Sequence, residues 1–274
     1  MARYGTGALR DLRNDKQMGG AGNDQHALSE VLSGALYSVL IRMHNKRWEE
    51  YSPQSANAVT RYSKSGKALW VSSQQFKRMT LRALDYLPPG EITFADYGRA
   101  VIAADQVSHP NDVEERTWLK QEFVTRGIVA DEQALEVMAP DLEFADVDIE
   151  LLVNDDMAAR SFAEKHRKLL RIPDGSPFEV GSRLKVTKKY YHRVTDETEQ
   201  NEPTITECLF KVWWPQPERN LSKVGTTLAI DWATRKARVL LTSDHSDRPA
   251  EAQAQQAMRG LVVDPKTAFA CCRR

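Results

Sequence analysis

The side chain best suited to chemistry in this chain is His26, in the stretch GNDQHALSEVLSGALYSVL of residues 22–40. It follows a polar segment and opens a run of apolar residues with helical spacing. Two interpretations stay open from the residues alone: an imidazole with a chemical role, or a helix-start histidine that bonds to its own loop. Asp24 is the nearest carboxylate, and it is a candidate cap for the helix.

Other catalytic motifs are missing from the sequence. A zinc-protease helix carries His-Glu-x-x-His, because residues one turn apart reach one metal ion, and none of the six histidines is followed by Glu. Neither a Gly-x-Ser-x-Gly elbow nor a glycine-rich phosphate loop occurs. The three cysteines have neither disulfide nor metal-ligand spacing. We therefore expect that this chain alone binds no metal and no cofactor.

Charged and aromatic clusters have structural interpretations. The basic stretch RLKVTKKYYHR, residues 183–193, is a candidate nucleic-acid stripe, but strand alternation puts its charges mainly on one face. Since 38 basic residues balance 38 acidic ones, we predict no nucleic-acid partner. If Trp213 and Trp214 lie on a strand, one ring is expected to point inward and the other outward. Five carboxylates are interpreted as caps and solvent-facing charges: Asp96, Asp105, Asp112, Glu114 and Glu115.

Helical periodicity dominates the first part of the chain. A helix is predicted over 27–51, capped by Asn23 or Asp24, with Gly34 permitting close packing. Residues 52–72 are rich in Ser, Asn and Lys and predict a loop. A second helix is predicted over 73–87. A third is predicted over 94–105, with Thr93 as its cap, and a fourth over 112–126, between an Asn111 cap and Gly127. Shorter helices are predicted over 131–138 and 154–169.

The pattern changes near Ile172, where β-branched and aromatic residues begin to alternate. Strands are predicted within 178–194 and 204–214, and a hairpin within 224–244 turns near 233–235. An amphipathic helix is predicted over 251–261. The prediction is an α+β fold, divided into an extended lead-in (1–20), a helical domain (21–170), a small antiparallel β-rich domain with the terminal helix (171–262) and a tail (263–274).

The sequence also predicts a compartment. No apolar run approaches the roughly 20 residues that cross a bilayer, and the stretch MARYGTGALRDLRND has no apolar signal-peptide core. The sparse cysteines indicate a reducing environment. We therefore expect a cytoplasmic protein without a membrane partner.

Four stretches, in order over roughly residues 20–130, resemble the C-terminal helical half of the thermolysin-like metallopeptidases, the gluzincins. The first matches the pattern x-His-x-x-Ser-x-x-x-x-x-Ala-x-Tyr through His26, Ser29, Ala35 and Tyr37. The later stretches resemble an Arg-Ala-Leu…Tyr-Leu-x-Pro helix, a Phe-opened alanine-rich helix and an acidic helix ending in Gly-Ile. They are LRALDYLPP (81–89), FADYGRAVIAAD (94–105) and EERTWLKQEFVTRGI (114–128). The stretches KVWW and GTTLAIDW look like the tail of bacterial gluzincin-like proteins.

The resemblance implies a role for His26. In the family this histidine is not a zinc ligand; it donates a hydrogen bond to the tetrahedral oxyanion formed when zinc-activated water attacks a peptide carbonyl. An upstream aspartate orients it, and Asp24 is the candidate, although its spacing differs from the family pattern. The zinc helix, the glutamate base and the third ligand have no counterpart here, and the resemblance places them before residue 1.

Three situations follow from that implication: a half that docks onto a zinc-bearing chain, a truncated reading frame, or a degenerate module that keeps the helical scaffold. Each predicts that this chain alone is catalytically inactive. The function implied is that of a metallopeptidase fragment, which acts on peptide or protein substrates once it is complete. The alternative is a non-catalytic protein-binding or scaffold module.

Overall fold

A computed structural model describes residues 11–22, 24–51, 64–111, 113–137, 140–189, 204–216 and 221–243. The described part is an α+β fold in which helices precede a four-stranded antiparallel sheet. The helices are α1 (Met18–Ala21), α2 (Gln25–Tyr51), α3 (Lys64–Tyr86), α4 (Phe94–Ser108), α5 (Glu114–Thr125), α6 (Ile149–Asn154) and α7 (Asp156–Lys165), with a 3₁₀ helix at Glu132–Leu135. The strands are β1 (Glu179–Lys189), β2 (Thr204–Gln216), β3 (Leu221–Asp231) and β4 (Ala237–Thr242).

Helix α3 begins earlier than its sequence predicts. Residues 64–72 are helical rather than part of a loop, because Ala68, Val71 and Ser72 continue the buried stripe of the helix. The Ser72 hydroxyl donates to the carbonyl of Ala68 at 2.8 Å, so a residue that favours loops is satisfied within the helix. Helix α6 was not predicted, and the helix predicted over 131–138 is a single 3₁₀ turn.

The helix ends test the predicted caps. Thr93 caps α4 as predicted, and Asp96 completes a reciprocal capping box with it. Gly127 ends α5 with a φ of 67°, a conformation that suits glycine. The predicted Asn111 cap is wrong, since the residue at the N-cap position of α5 is Val113 and its side chain makes no capping hydrogen bond.

The sheet has the order β1-β2-β3-β4, and each neighbouring pair is antiparallel. The predicted hairpin is confirmed, because Asp231 ends β3 and its carboxylate accepts hydrogen bonds from the backbone N–H groups of Ala233 and Thr234. Arg235 completes the turn with a φ of 61°. The end of the first predicted strand beyond residue 189 and the helix predicted over 251–261 lie outside the described residues.

The sheet lies between two helical layers, because successive strand residues point to opposite faces. Leu209 and Ala229 pack into the core formed by α2, α3, α4 and α5. Cys208 and Phe210 pack on the other face, where α6 and α7 cover them. Both cores draw residues from each side of residue 170, and the predicted two-domain division stays a prediction.

The loop after α3 is held against the sheet by direct backbone contacts. Thr227 and Lys211 each donate a side-chain hydrogen bond to the carbonyl of Leu87, at 2.9 Å. A Cβ on Gly225 would lie 2.7 Å from the carbonyl oxygen of Pro89, so glycine permits this close approach. No helix in the described part of the chain is long and apolar enough to cross a membrane.

Candidate functional site

His26 lies on the exposed first turn of α2. The carboxylate of Asp24 accepts hydrogen bonds from the backbone N–H of His26 at 3.2 Å and of Ala27 at 3.1 Å. The carbonyl of Asp24 also accepts the first helical bond, from the N–H of Leu28 at 2.9 Å. Asp24 is therefore the N-cap of α2, as one of its two predicted interpretations requires.

The two predicted site residues are thus adjacent, but the contacts of Asp24 run to the backbone. Both carboxylate oxygens serve amide groups of the helix start. The Ser29 hydroxyl donates to the carbonyl of His26 at 2.8 Å, which further fixes this turn. The Asp24 carboxylate therefore already occupies these amide groups, and its negative charge offsets the positive partial charge of the helix start.

Arg126 holds the segment before α2 against that helix through hydrogen bonds. Its guanidinium donates to the carbonyl of Asn14 at 2.6 Å, to the side-chain oxygen of Asn14 at 3.1 Å and to the carbonyl of Lys16 at 3.1 Å. It also contacts the Ser38 hydroxyl at 3.3 Å, and it is 3 % exposed. The N–H of Met18 donates to the carbonyl of Arg126 at 2.8 Å.

Gly34 makes this crossing possible. A Cβ at that position would lie 2.7 Å from Nη1 of Arg126 and 2.8 Å from the side-chain oxygen of Asn14. Gly34 was predicted to permit close helix packing, and the groups that approach it are instead these two polar side chains.

A small cavity lies between α1 and the start of α2. Its volume is about 170 Å³, and its walls are Lys16, Gln17, Gly20, Ala21 and Ala27. The ammonium group of Lys16 pairs with the carboxylate of Glu30, one turn beyond His26. The cavity therefore reaches the start of α2 at Ala27, and His26 is not among the residues that line it.

Helix α2 has an outer face that no described core covers. His26, Tyr37, Ile41, His44 and Trp48 fall on it, at spacings that keep them on one side of the helix, and all are half-buried or exposed. Trp48 is 43 % exposed, and its ring stacks on that of His44 with centroids 6.5 Å apart. We call these five residues the α2 outer face.

The opposite side of α2 is fully packed, as Val31, Ala35, Val39 and Met43 are at most 1 % exposed. Apolar and aromatic side chains thus lie on both of these sides of α2, and polar residues such as Arg42, Asn45 and Glu49 lie between them.

Buried charges tie α2, α3 and α5 together. Glu115 is fully buried, and its carboxylate lies 3.1 Å from Nζ of Lys46 and 3.7 Å from Nη2 of Arg47. Arg47 also donates to the side-chain oxygen of Gln75 at 3.0 Å. Burial lowers the pKa of Lys46, but Glu114 and Glu115 raise it by more, so the net shift is upward. The prediction that Glu115 faces solvent is wrong.

Asp105 is the second fully buried carboxylate that was predicted to face solvent. Its oxygens lie 2.9 Å from Nη1 of Arg116 and 3.0 Å from Nδ1 of His109. Asp96 is also buried, and it pairs with Arg99 at 2.5 Å besides completing its capping box. Asp112 lies outside the described residues. These carboxylates connect helix ends.

Sequence spacing carried a signal for these buried charges. Glu115, Leu119 and Phe123 recur at four-residue steps, so the carboxylate lies on the same face of α5 as two core residues. Asp105 follows Val101 and Ile102 by four and three residues on α4 in the same way. The charge of Glu115 and Asp105 suggested that they face solvent, whereas their spacing from core residues indicated that they are buried.

The basic strand β1 is neutralised by acidic neighbours. Arg183 pairs with Asp156, and Lys185 lies 3.8 Å from Glu150. Lys188 is buried, and its ammonium lies 3.1 Å from the carboxylate of Glu207. The two tryptophans of β2 divide as predicted: Trp214 is buried, and Trp213 is half-exposed beneath Lys223. The absence of a nucleic-acid partner stays a prediction.

Two further reactive side chains are enclosed by apolar groups. Burial raises the pKa of Cys208 to about 12. Burial, aided by Lys165, lowers the pKa of His166, whose ring lies 4.5 Å from that of Phe162 and 5.5 Å from that of Phe144. The raised pKa of Cys208 disfavours the thiolate, the form that acts as a nucleophile or a metal ligand.

Within the described ranges, no three His, Cys, Asp or Glu side chains are grouped closely enough to hold a metal ion. The described residues therefore do not fit a zinc site. Comparison of the chain with protein-family models, with curated proteins and with solved structures finds no match.

Proposed function

We propose that this chain is the His26-bearing helical portion of a gluzincin-like metallopeptidase and that it completes an active site with a separate zinc-bearing polypeptide. The observation that carries the proposal is the α2 outer face. From Tyr37 to Trp48 it is apolar and aromatic and is left open by both described cores. His26 lies on the same side of the helix about three turns before Tyr37, beyond Glu30 and Ser33. A second polypeptide that covers this face would meet His26 at the edge of the contact.

In the proposed complex, His26 donates a hydrogen bond to the oxyanion of a cleaved peptide bond. His26 lies on the exposed first turn of α2. Since the described residues of this chain offer no metal site, the zinc ligands and the general base are assigned to the partner.

We assign Asp24 the role of N-cap of α2. By fixing the first turn of the helix, this cap also positions His26. Its two oxygens already accept backbone hydrogen bonds. Asp24→Ser preserves capping while it removes the charge. A small effect of this substitution on catalysis is therefore expected, whereas a carboxylate that orients the imidazole directly would be sensitive to it.

The test is co-expression with a polypeptide that carries His-Glu-x-x-His and a downstream glutamate. The proposal predicts a stable complex that contains stoichiometric zinc and cleaves an unstructured protein substrate such as casein. Ile41→Asp in the α2 outer face should abolish the complex, because a charge would be buried in an apolar contact. Met157→Asp, at a residue of α7 that is 75 % exposed, is the matched control and should leave the complex intact.

The alternative of a binding or scaffold module rests on the same face. A complex that depends on Ile41 but contains neither zinc nor peptidase activity would support that alternative and contradict the catalytic proposal. Failure of every such polypeptide to bind would contradict both.

A further inference from the structure

A buried ionic cluster joins the C-terminal end of α3 to the sheet. The Glu207 carboxylate on β2 is fully buried, and its Oε2 atom accepts a hydrogen bond from the Tyr86 hydroxyl at 2.8 Å. Nζ of Lys188 on β1 lies 3.1 Å from the same Oε2 atom and 3.3 Å from Oδ2 of Asp85. It also lies 3.9 Å from the centroid of the Tyr86 ring. We call these four residues the α3–sheet cluster.

The register of the sheet explains why these side chains meet. Glu207 is paired with Val186 across β1 and β2, and directly paired residues share one face of a sheet. Lys188 follows Val186 by two residues, so it points to the same face. Val186 packs against the core formed by α2, α3, α4 and α5, to which Tyr86 belongs. The cluster therefore lies between α3 and the sheet.

Two charged atoms of the cluster have no hydrogen-bond partner among the residues that the structure describes. They are Oε1 of Glu207 and Nζ of Lys188, a residue that is 8 % exposed. Nζ is close to both carboxylates, but without the angles of a hydrogen bond. Burial and the charge of Glu207 raise the pKa of Tyr86, so its hydroxyl keeps the proton that Oε2 accepts. Buried charges whose hydrogen-bonding capacity is unused are destabilising, and ordered water commonly satisfies them.

The separation of these two atoms suits one water molecule. The two oxygens of a carboxylate are about 2.2 Å apart, so Nζ of Lys188 lies at most about 5.3 Å from Oε1 of Glu207. A water molecule that makes two hydrogen bonds of about 2.8 Å spans up to about 5.6 Å. An ammonium donates and a carboxylate accepts, and water can do both. The side chain of Asp85 is 41 % exposed, so the cluster has a side that faces solvent.

We propose that the α3–sheet cluster binds one ordered water molecule, which accepts a hydrogen bond from Nζ of Lys188 and donates one to Oε1 of Glu207. The water completes a chain of polar contacts from the buried Tyr86 hydroxyl to the exposed carboxylate of Asp85. This chain joins the end of α3 to two strands. The proposal is independent of the metallopeptidase proposal, because these residues lie outside α2.

The test combines a crystal structure of the full-length wild type, at a resolution that shows ordered water, with magnetic relaxation dispersion of the solvent, which counts water molecules held by the protein. The proposal predicts density for one water molecule within about 3.2 Å of both Nζ of Lys188 and Oε1 of Glu207. A triple variant with Tyr86→Phe, Lys188→Met and Glu207→Met removes the buried polar groups and should hold one water molecule fewer. Lys189→Met, at an exposed neighbour on β1, is the matched control and should hold the wild-type number.

Direct bonding of Nζ of Lys188 to Oε1 of Glu207, with no water between them, would overturn the proposal. So would a donor from residues 190–203, which connect β1 to β2, at the position of the water. An unchanged number of held water molecules in a folded triple variant would also overturn it. If the triple variant does not fold, the wild-type density decides between these outcomes by itself.

Discussion

Arg126 provides the most quantitative prediction about the candidate site, because one buried guanidinium holds the segment before α2 in place. Arg126→Met keeps most of the side-chain volume and removes four hydrogen bonds, three of them to Asn14 and Lys16. Hydrogen bonds to a charged group contribute about 1.5–3 kcal/mol each. Since residues 14–16 are partly exposed, water replaces most of that contribution, and we expect a net loss of about 2 kcal/mol in the local stability of the segment.

Limited trypsin digestion measures this loss, because Arg13 and Lys16 are cleavage sites in the anchored segment. When opening is fast, cleavage tracks the population of the open form. A change of about 2 kcal/mol therefore accelerates cleavage at these sites about 30-fold. Arg160→Met, an exposed arginine on α7, is the matched control and should leave the cleavage rate unchanged.

Wild-type cleavage rates at Arg13 and Lys16 in Arg126→Met would refute the anchoring role. Cleavage throughout the chain, together with a lower urea midpoint, would show that Arg126 stabilises the whole core. That outcome would refute a purely local role for Arg126. Gly34→Ala provides an independent check, since its Cβ would crowd the same guanidinium.

Three further predictions concern the buried polar groups. Asp105→Ala should lower the free energy of unfolding by about 3–5 kcal/mol, because Arg116 is left buried and uncompensated; a urea titration that finds a loss below about 1 kcal/mol would contradict this. Cys208 should not react with a thiol reagent at about pH 8 in the folded protein, since burial raises its pKa to about 12, and reaction without denaturant would be the contrary result. For His166, whose folded pKa is lowered, the unfolded chain takes up the proton first as the pH falls through the usual value of 6.5. Stability should therefore decrease below that pH until the lowered pKa is passed, and the decrease should be smaller in His166→Gln, as measured by urea midpoints at about pH 7.5 and about pH 5.5.

Local pattern was sufficient to predict most elements of the fold. The capping box at Thr93, the glycine stop at Gly127 and the turn after Asp231 each depend on a few neighbouring residues. The α+β order of helices before strands followed from the change of periodicity near residue 172.

Long-range pairing decided the features that the sequence did not predict. Residues 64–72 are polar by composition, and burial against the core makes them helical. Glu115 and Asp105 are buried because cations from other helices, or from a later turn, meet them there. The crossing of Arg126 over Gly34 joins residues about ninety positions apart, and no local rule specifies such a contact.

For the candidate site, the sequence identified the residues but left their geometry open. Asp24 proved to be the helix cap, since its carboxylate is occupied by the amides of the first turn. The cavity between α1 and α2 and the α2 outer face depend on which sides of α2 the other elements cover. That information lies in the tertiary packing and could not be read from the residues around His26.

The central claim is that His26 stabilises the oxyanion in a complex with a zinc-bearing polypeptide, and kcat/KM for peptide hydrolysis by that complex tests it most directly. The account predicts that His26→Ala lowers kcat/KM by about 10²–10³ while zinc content and complex formation are unchanged. Met157→Ala, at an exposed residue of α7 outside the α2 outer face, should retain activity. Undiminished hydrolysis by the His26→Ala complex would contradict the account.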